Sequence, residues 1–246
     1  MKTRITVIAL FVFAGFSNFA YAGGGLIQTL PKEGAWVKYF IEMKANIQQR
    51  EQNMSGELTM RFLGTVKENG EPCRWVEMQM VGQEGERKTY HVAKLLIREK
   101  DLAPGAKTNL QIIRGWKRDK KDGEVKELSE MEKSANGPTS FFFSRTRKNK
   151  KDVKTSKTLD YQKGQLKIPQ AVQDRLEIGL GPNAPKDFKY ELQRTVWSHK
   201  TVPSGTAAME LKIKITRKEM VLQDLTMSFT LQDYGTGAKS ALPDNK

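Results

Sequence analysis

The chain has 246 residues, with 42 Lys and Arg against 28 Asp and Glu, a formal net charge of +14 at pH 7 and a single cysteine. One cysteine, Cys73, excludes an intramolecular disulfide framework, and two histidines beside it leave no thiolate- or imidazole-rich metal set. The positive surface favours anionic partners: nucleic acid, phospholipid headgroups or cell-wall polymers.

From the start, Met1–Arg4 is short and positive, Ile5–Phe16 is an uncharged apolar run, and Ala20-Tyr21-Ala22 places small residues at the third and first positions before a cut. This is the three-part pattern of a cleavable secretory signal over residues 1–22; the apolar run is shorter than the roughly 20 residues of a bilayer span. Gly23 follows the cut where a lipid-anchored protein would carry Cys. Removing Lys2 and Arg4 takes two from the charge of +14 and leaves +12. The expected address is periplasmic or extracellular, which argues against nucleic acid as the partner and requires the lone Cys73 to be buried. Residues 23–246 are expected to form a single β-rich domain with a charged insertion around 117–185.

The next signal is period-two alternation, the mark of a half-buried strand. Val37, Tyr39, Ile41, Met43, Ala45 and Ile47 share one face, against Lys38, Glu42, Lys44, Asn46 and Gln48. Leu58, Met60 and Phe62 follow, then a turn at Glu68-Asn69-Gly70-Glu71-Pro72, then Val76, Met78 and Met80. Such spacing predicts an antiparallel meander. Tyr90–Arg98 reads as a strand running into a turn at Asp101–Gly105, and Leu110–Trp116 as another strand.

The middle changes character. Lys117–Lys126 is charged and turn-like. Ser129–Asn136 predicts a short helix capped by Ser129, with Glu132 three residues on. Pro169–Ile178 predicts a second helix with Pro169 in its first turn, and Gly179–Pro185 a loop. Alternation then returns. Tyr190, Leu192 and Val196 share a face, as do Met209, Leu211, Ile213 and Ile215, and as do Val221, Leu225, Met227, Phe229 and Leu231. Turns fit at Pro203-Ser204-Gly205 and Arg217-Lys218-Glu219. The fold class is mainly β (α+β): a curved antiparallel sheet or half-barrel with one or two short helices in the middle insertion.

No catalytic set, metal set or cofactor motif stands out. His91 and His199 lie in no metal-binding spacing, and Ser144 and Ser204 lie in no Gly-x-Ser-x-Gly turn. Asp119 and Asp122 sit among lysines. A hydrolase with two acids distant in sequence stays open as an alternative.

Two groups of residues are candidates for binding. Trp36, Trp75, Trp116 and Trp197 sit on or beside strands and would line a ligand cavity in a curved sheet. Phe141, Phe142 and Phe143 precede Arg145, Arg147, Lys148, Lys150 and Lys151; from Arg145 to Lys157 there are seven basic residues and one acid. At an anionic membrane each such cation gains about 1 kcal/mol before screening, and phenylalanines beside the run would anchor at the interface.

The segments Trp36-Val37-Lys38-Tyr39, Gly70-Glu71-Pro72-Cys73-Arg74-Trp75-Val76-Glu77, Lys94-Leu95-Leu96-Ile97 and Asp233-Tyr234-Gly235-Thr236-Gly237-Ala238-Lys239-Ser240 are together similar to a group of exported bacterial proteins of unknown function. The long meander with a helical insertion also resembles, in pattern, periplasmic lipoprotein carriers of the LolA/LolB type. That resemblance implies a curved half-barrel holding acyl chains in an apolar concavity. Three functional expectations follow. The first is a non-enzymatic envelope protein binding a lipid or lipoprotein. The second is a peripheral protein docking on anionic membrane or cell-wall surfaces through Phe141–Lys157. The third is the dispersed-acid hydrolase.

Overall fold

The computed structural model describes residues 25–47, 50–84, 87–102, 111–133, 151–178, 188–218 and 220–243. The elements are β1 (Trp36–Ile47), β2 (Arg50–Glu68), β3 (Glu71–Glu84), β4 (Arg87–Arg98), α1 (Glu99–Leu102), β5 (Ile112–Arg118), β6 (Lys126–Glu127) and α2 (Glu130–Lys133). They continue with β7 (Lys151–Val153), β8 (Lys157–Tyr161), β9 (Gly164–Ile168), β10 (Ala171–Ile178), β11 (Phe188–Ser198), β12 (Thr206–Arg217) and β13 (Met220–Gly235).

Eleven strands form one curved antiparallel sheet in the order β6-β5-β4-β3-β2-β1-β13-β12-β11-β10-β7, not closed into a barrel, and β8–β9 form a separate hairpin. The chain starts in the middle of the sheet at β1 and works outward to β6. It reappears at the opposite edge with β7 and works back inward to β13, which pairs with β1 from Trp36↔Gly235 to Ile47↔Gln223.

Alternation gives the strands their two faces. Val37, Tyr39, Ile41, Met43 and Ala45 are buried, while Glu42, Lys44 and Asn46 are exposed. The same holds on β12, where Met209, Leu211, Ile213 and Ile215 are buried. Leu26, Ile27, Leu102, Leu128 and the hairpin residues Leu159, Leu166 and Ile168 join this apolar face in one cluster. Tyr39 adds a polar tip to this row: its hydroxyl shares a 2.7 Å hydrogen bond with buried Ser204 and donates to the Thr206 carbonyl. Burial pushes the Tyr39 phenol well up, partly offset by Ser204.

The β2–β3 turn is Asn69-Gly70, with φ of 51° and 79°. Positive φ at both central residues is what a two-residue hairpin loop matching the strand twist needs. Ser129 and Glu132 cap α2 reciprocally: the Glu132 carboxylate accepts from the Ser129 N–H at 2.9 Å, and the Glu132 N–H donates to Ser129 Oγ at 3.4 Å.

Three expectations need correction. Pro169–Ile178 contains no helix; residues 171–178 are strand β10, paired with β11 from Val172↔Val196 to Ile178↔Tyr190. Asp174 occupies an apolar slot of that strand and hides its alternation. Val221 is 48 % exposed rather than aligned with Leu225, because the β12–β13 register shifts between Ile215 and Thr216 and turns the strand over. Asp101 and Leu102, expected to open a turn, belong instead to the helical turn α1, and the rest of that expected turn, 103–105, lies outside the described residues. The stretch 117–185 reaches both sheet edges, through β6 on one side and β7 and β10 on the other. The expected leader 1–22 and the loop 179–185 lie outside the described residues.

Gly56 of β2 faces Gly82 of β3 at a close approach of the two strands. A Cβ at Gly56 would stand 2.4 Å from the Val81 carbonyl oxygen and 2.8 Å from the Gly82 Cα. Backbone cannot yield as a side chain does, so this close approach requires glycine. Gly56→Val is expected to lower stability by about 1–3 kcal/mol, the range for overpacking, read as a lower urea midpoint at unchanged slope; an unchanged midpoint would show that the strands can separate at that point.

Candidate functional site

The apolar face carries Met43, Met54, Met60, Met78, Met80, Met209 and Met227, seven of the ten methionines in the chain. Three of them begin a row across six strands. Met54 of β2 pairs with Met43 of β1, Met43 with Met227 of β13, and Met227 with Leu211 of β12; Leu211 pairs with Arg194 of β11, and Arg194 with Asp174 of β10. Methionine is unbranched and polarizable, so such a surface adapts to irregular apolar shapes more readily than one of β-branched residues. In this structure the row is closed off from solvent, Met43 being 5 % and Met227 7 % exposed, while Met54 at its end is half-buried.

The far end of the row is ionic. Arg194 (1 % exposed) and Asp174 (6 % exposed) are opposite each other in register. Arg194 Nε donates to Asp174 Oδ1 at 3.1 Å and Nη2 donates to Oδ2. The bidentate fork pairs the two charges in an apolar setting, where removing one partner costs more than removing both. Arg194→Met and Asp174→Leu are each expected to cost about 3–5 kcal/mol, and the double variant much less than their sum. Urea denaturation of the four proteins checks this; additive losses would contradict it.

The opposite face carries Trp36, Trp75 and Trp116, by strand alternation, whereas Trp197 is buried within the core cluster. Trp75 and Trp116 lie 5.3 Å apart between ring centres, with Lys94 Nζ 5.4 Å and the Arg114 guanidinium 5.8 Å from Trp75. Trp36 stands apart at the start of β1, its Nε1 donating to the Thr236 carbonyl at 3.2 Å. Trp197 donates to the Thr155 carbonyl at 3.1 Å and lies under Lys157 at 4.5 Å. The structure therefore brings Trp75 and Trp116 together and leaves the other two separate. Of the cationic segment, Lys151 begins edge strand β7 and is exposed; Phe141, Phe142, Phe143, Arg145, Arg147, Lys148 and Lys150 lie outside the described residues.

A polar network on this face was invisible to motif reading. Glu77 of β3 is fully buried, and its carboxylate accepts from Arg61 Nη1 at 2.9 Å, Ser240 Oγ at 2.6 Å and the backbone N–H groups of Ala241 and Leu242 at 3.0 and 3.1 Å. Arg61 Nη2 donates to Gln79 Oε1 at 2.8 Å, and Arg118 donates to the Ala241 carbonyl. The C-terminal segment is thus strapped back over β3, and Leu242 is buried there outside the main core cluster. Between the strap and strands β1–β3 runs a cleft of about 520 Å³, lined by Trp36, Lys38, Glu57, Thr59, Arg61, Gln79, Val81 and Gly237–Lys239. A Glu flanked by Val76 and Met78, and an Arg placed between Leu192 and Val196, were the sequence signals available.

Groups that do chemistry elsewhere are scattered. His91 meets Asp119 at 2.6 Å, and His199 meets Thr201 at 2.8 Å. Among the described residues no cluster of three His, Cys, Asp or Glu could hold a metal ion. Cys73 is a buried free thiol whose Sγ donates to the Glu71 carbonyl at 3.5 Å, and burial pushes its pKa up. A disulfide reagent such as Ellman's is expected to leave Cys73 unmodified in native protein at pH 8 and to titrate one thiol in denaturant; fast native labelling would mean that the β2–β3 hairpin end around Cys73 opens freely.

No protein-family model matches the chain, and no curated protein matches it in sequence. Among solved structures it is similar to a protein provisionally described as a lipoprotein, from Parabacteroides distasonis ATCC 8503, at 11 % identity and a TM-score of 0.32, covering 85 % of this chain and 98 % of that one. It is also similar to a DUF1329 family protein from Desulfovibrio piger ATCC 29098, at 7 % identity and a TM-score of 0.30, covering 89 % and 92 %. A third is a domain provisionally described as an outer membrane lipoprotein-sorting protein, from Vibrio parahaemolyticus, at 9 % identity and a TM-score of 0.29, covering 94 % and 93 %. Likenesses of this size carry no function across.

Proposed function

We propose that the protein is an exported, non-enzymatic binder of an apolar or amphiphilic ligand, a lipid or the acyl chain of a lipoprotein, taken up against the methionine-rich face. The observation that carries this reading is the uninterrupted apolar row from Met54 through Met43 and Met227 to Leu211, on a sheet that bends without closing. Its extracytoplasmic address rests on the leader pattern at residues 1–22. Among the described residues no helix is long and apolar enough to cross a membrane.

The energetics favour a chain-like ligand. Each methylene moved from water into an apolar site gains about 0.8 kcal/mol, so a chain of about a dozen carbons supplies on the order of 10 kcal/mol before other costs. Part of that gain is spent displacing whatever closes the face, since Met43 and Met227 are shielded from solvent. Unbranched methionines re-pack around the entering chain at little strain.

The test is native mass spectrometry after incubation with palmitoyl lysophosphatidylglycerol. Wild type is expected to gain one ligand mass, and Met54→Lys, at the half-buried end of the row, to lose most of it while keeping the wild-type circular dichroism. A wild-type spectrum without added lipid at ligand concentrations well above micromolar would contradict the proposal.

A further inference from the structure

We propose that the polar cleft between the C-terminal strap and strands β1–β3 is a second binding site, for an extended acidic polysaccharide. It lies on the face opposite the methionine row and does not depend on the lipid reading. Its floor presents Lys38, Glu57, Thr59, Arg61 and Gln79 in neighbouring register: Lys38 opposite Thr59, Trp36 opposite Arg61, and Thr59 opposite Gln79. With Lys239 on the strap, three cations face one acid among the lining residues.

The key cation is ordered before any ligand arrives. Arg61 is held through Nη1 by Glu77 and through Nη2 by Gln79. Two of the five guanidinium N–H groups are committed to these partners, and three remain. The same Glu77 carboxylate accepts from Ser240, Ala241 and Leu242, so one buried group fixes both the floor and the wall of the cleft. Preorganisation of this kind reduces the ordering cost of binding.

The lining chooses the ligand class. Charged and amide side chains exclude an acyl chain, which would strand them without water. A nucleic-acid strand needs aromatic faces on which to stack its bases. Trp36 does not offer one: a Cβ at Gly235 would already stand 2.9 Å from its Nε1, and Lys163 Nζ lies 5.7 Å from the ring centre. An acidic sugar chain matches instead. Its carboxylates pair with Lys38, Arg61 and Lys239, and its hydroxyls both donate to Glu57 and accept from Thr59 and Gln79. Lys38 and Glu57, now 2.7 Å apart and part-exposed, are free to exchange each other for ligand groups.

Isothermal titration of the full chain with oligogalacturonate, with the neutral cello-oligosaccharide of equal length and with inorganic phosphate separates the sources. Binding of the acidic oligomer, weakened about tenfold by Lys38→Gln with Lys239→Gln and falling with added salt, is the expected result; tenfold is the scale of one charge-assisted contact. The neutral oligomer and phosphate are expected to bind at least about tenfold more weakly on the same scale. Both substituted lysines are part-exposed or exposed, so the double variant is expected to fold, with its thermal transition as the check. Met54→Lys leaves the cleft untouched and should bind the acidic oligomer as wild type does, whatever its effect on lipid. No binding of the oligomer to wild type, equal binding of the neutral sugar, or full binding by the double lysine variant would each overturn the proposal.

Discussion

The antiparallel pairing of β1 with β13 is the constraint from which the rest of the structure follows. The first and the last long strands meet in the middle of the sheet, so the two sequence halves become one surface only when the chain has come full circle. The seam sets Met43 against Met227 and makes a single row from residues almost two hundred positions apart. Its end is tied off by local bonds: the Ala238 N–H donates to the Gly34 carbonyl at 2.9 Å, and the Gly34 N–H to the Phe62 carbonyl at 2.7 Å. Long-range strand pairing of this kind cannot form until a large loop has closed, and it makes folding slow.

With the seam in place, the two faces of the sheet separate two chemistries. One is apolar and methionine-rich, and within it Arg194 and Asp174 neutralise each other. The other is polar, with charged and aromatic groups held over the strands by the strap. In each case a fully buried ionic group is satisfied by partners from a neighbouring strand or from the strap, as burial demands. Glu77 has the larger structural reach, because it ties residues 240–242 to β2 and β3 at once. Arg194 and Asp174 act locally and fix the register of β10 on β11.

Much of this was legible in the sequence. Strict alternation in residues 37–47 and 209–215 identified β1 and β12 and the face each buries, since a strand with one solvated side cannot hide its period. Asn69-Gly70 announced its hairpin through backbone geometry alone, and Ser129 with Glu132 announced the start of α2. Residues 171–178 were misread because Asp174 sits in an apolar slot, and only its partner twenty residues away makes that slot habitable. Val221 was misplaced because a register shift leaves no mark on the alternation of one strand. The tryptophans were legible as strand residues but not by face, because aromatic side chains suit either side of a sheet. The cleft was not legible, since the contact that builds it is an ordinary glutamate of β3 reaching a tail 163–165 residues away.

The central claim is that the methionine row is a ligand surface and not only a core. Methyl-¹³C methionine NMR tests it most directly, because the reporters already lie on the surface in question. On titration with palmitoyl lysophosphatidylglycerol, the methyl signals of Met43, Met54 and Met227 are expected to shift together and saturably, while those of exposed Met131 and Met220 stay in place. Shifts confined to Met131 and Met220, with the row unchanged, would contradict the account and leave the face as sealed core.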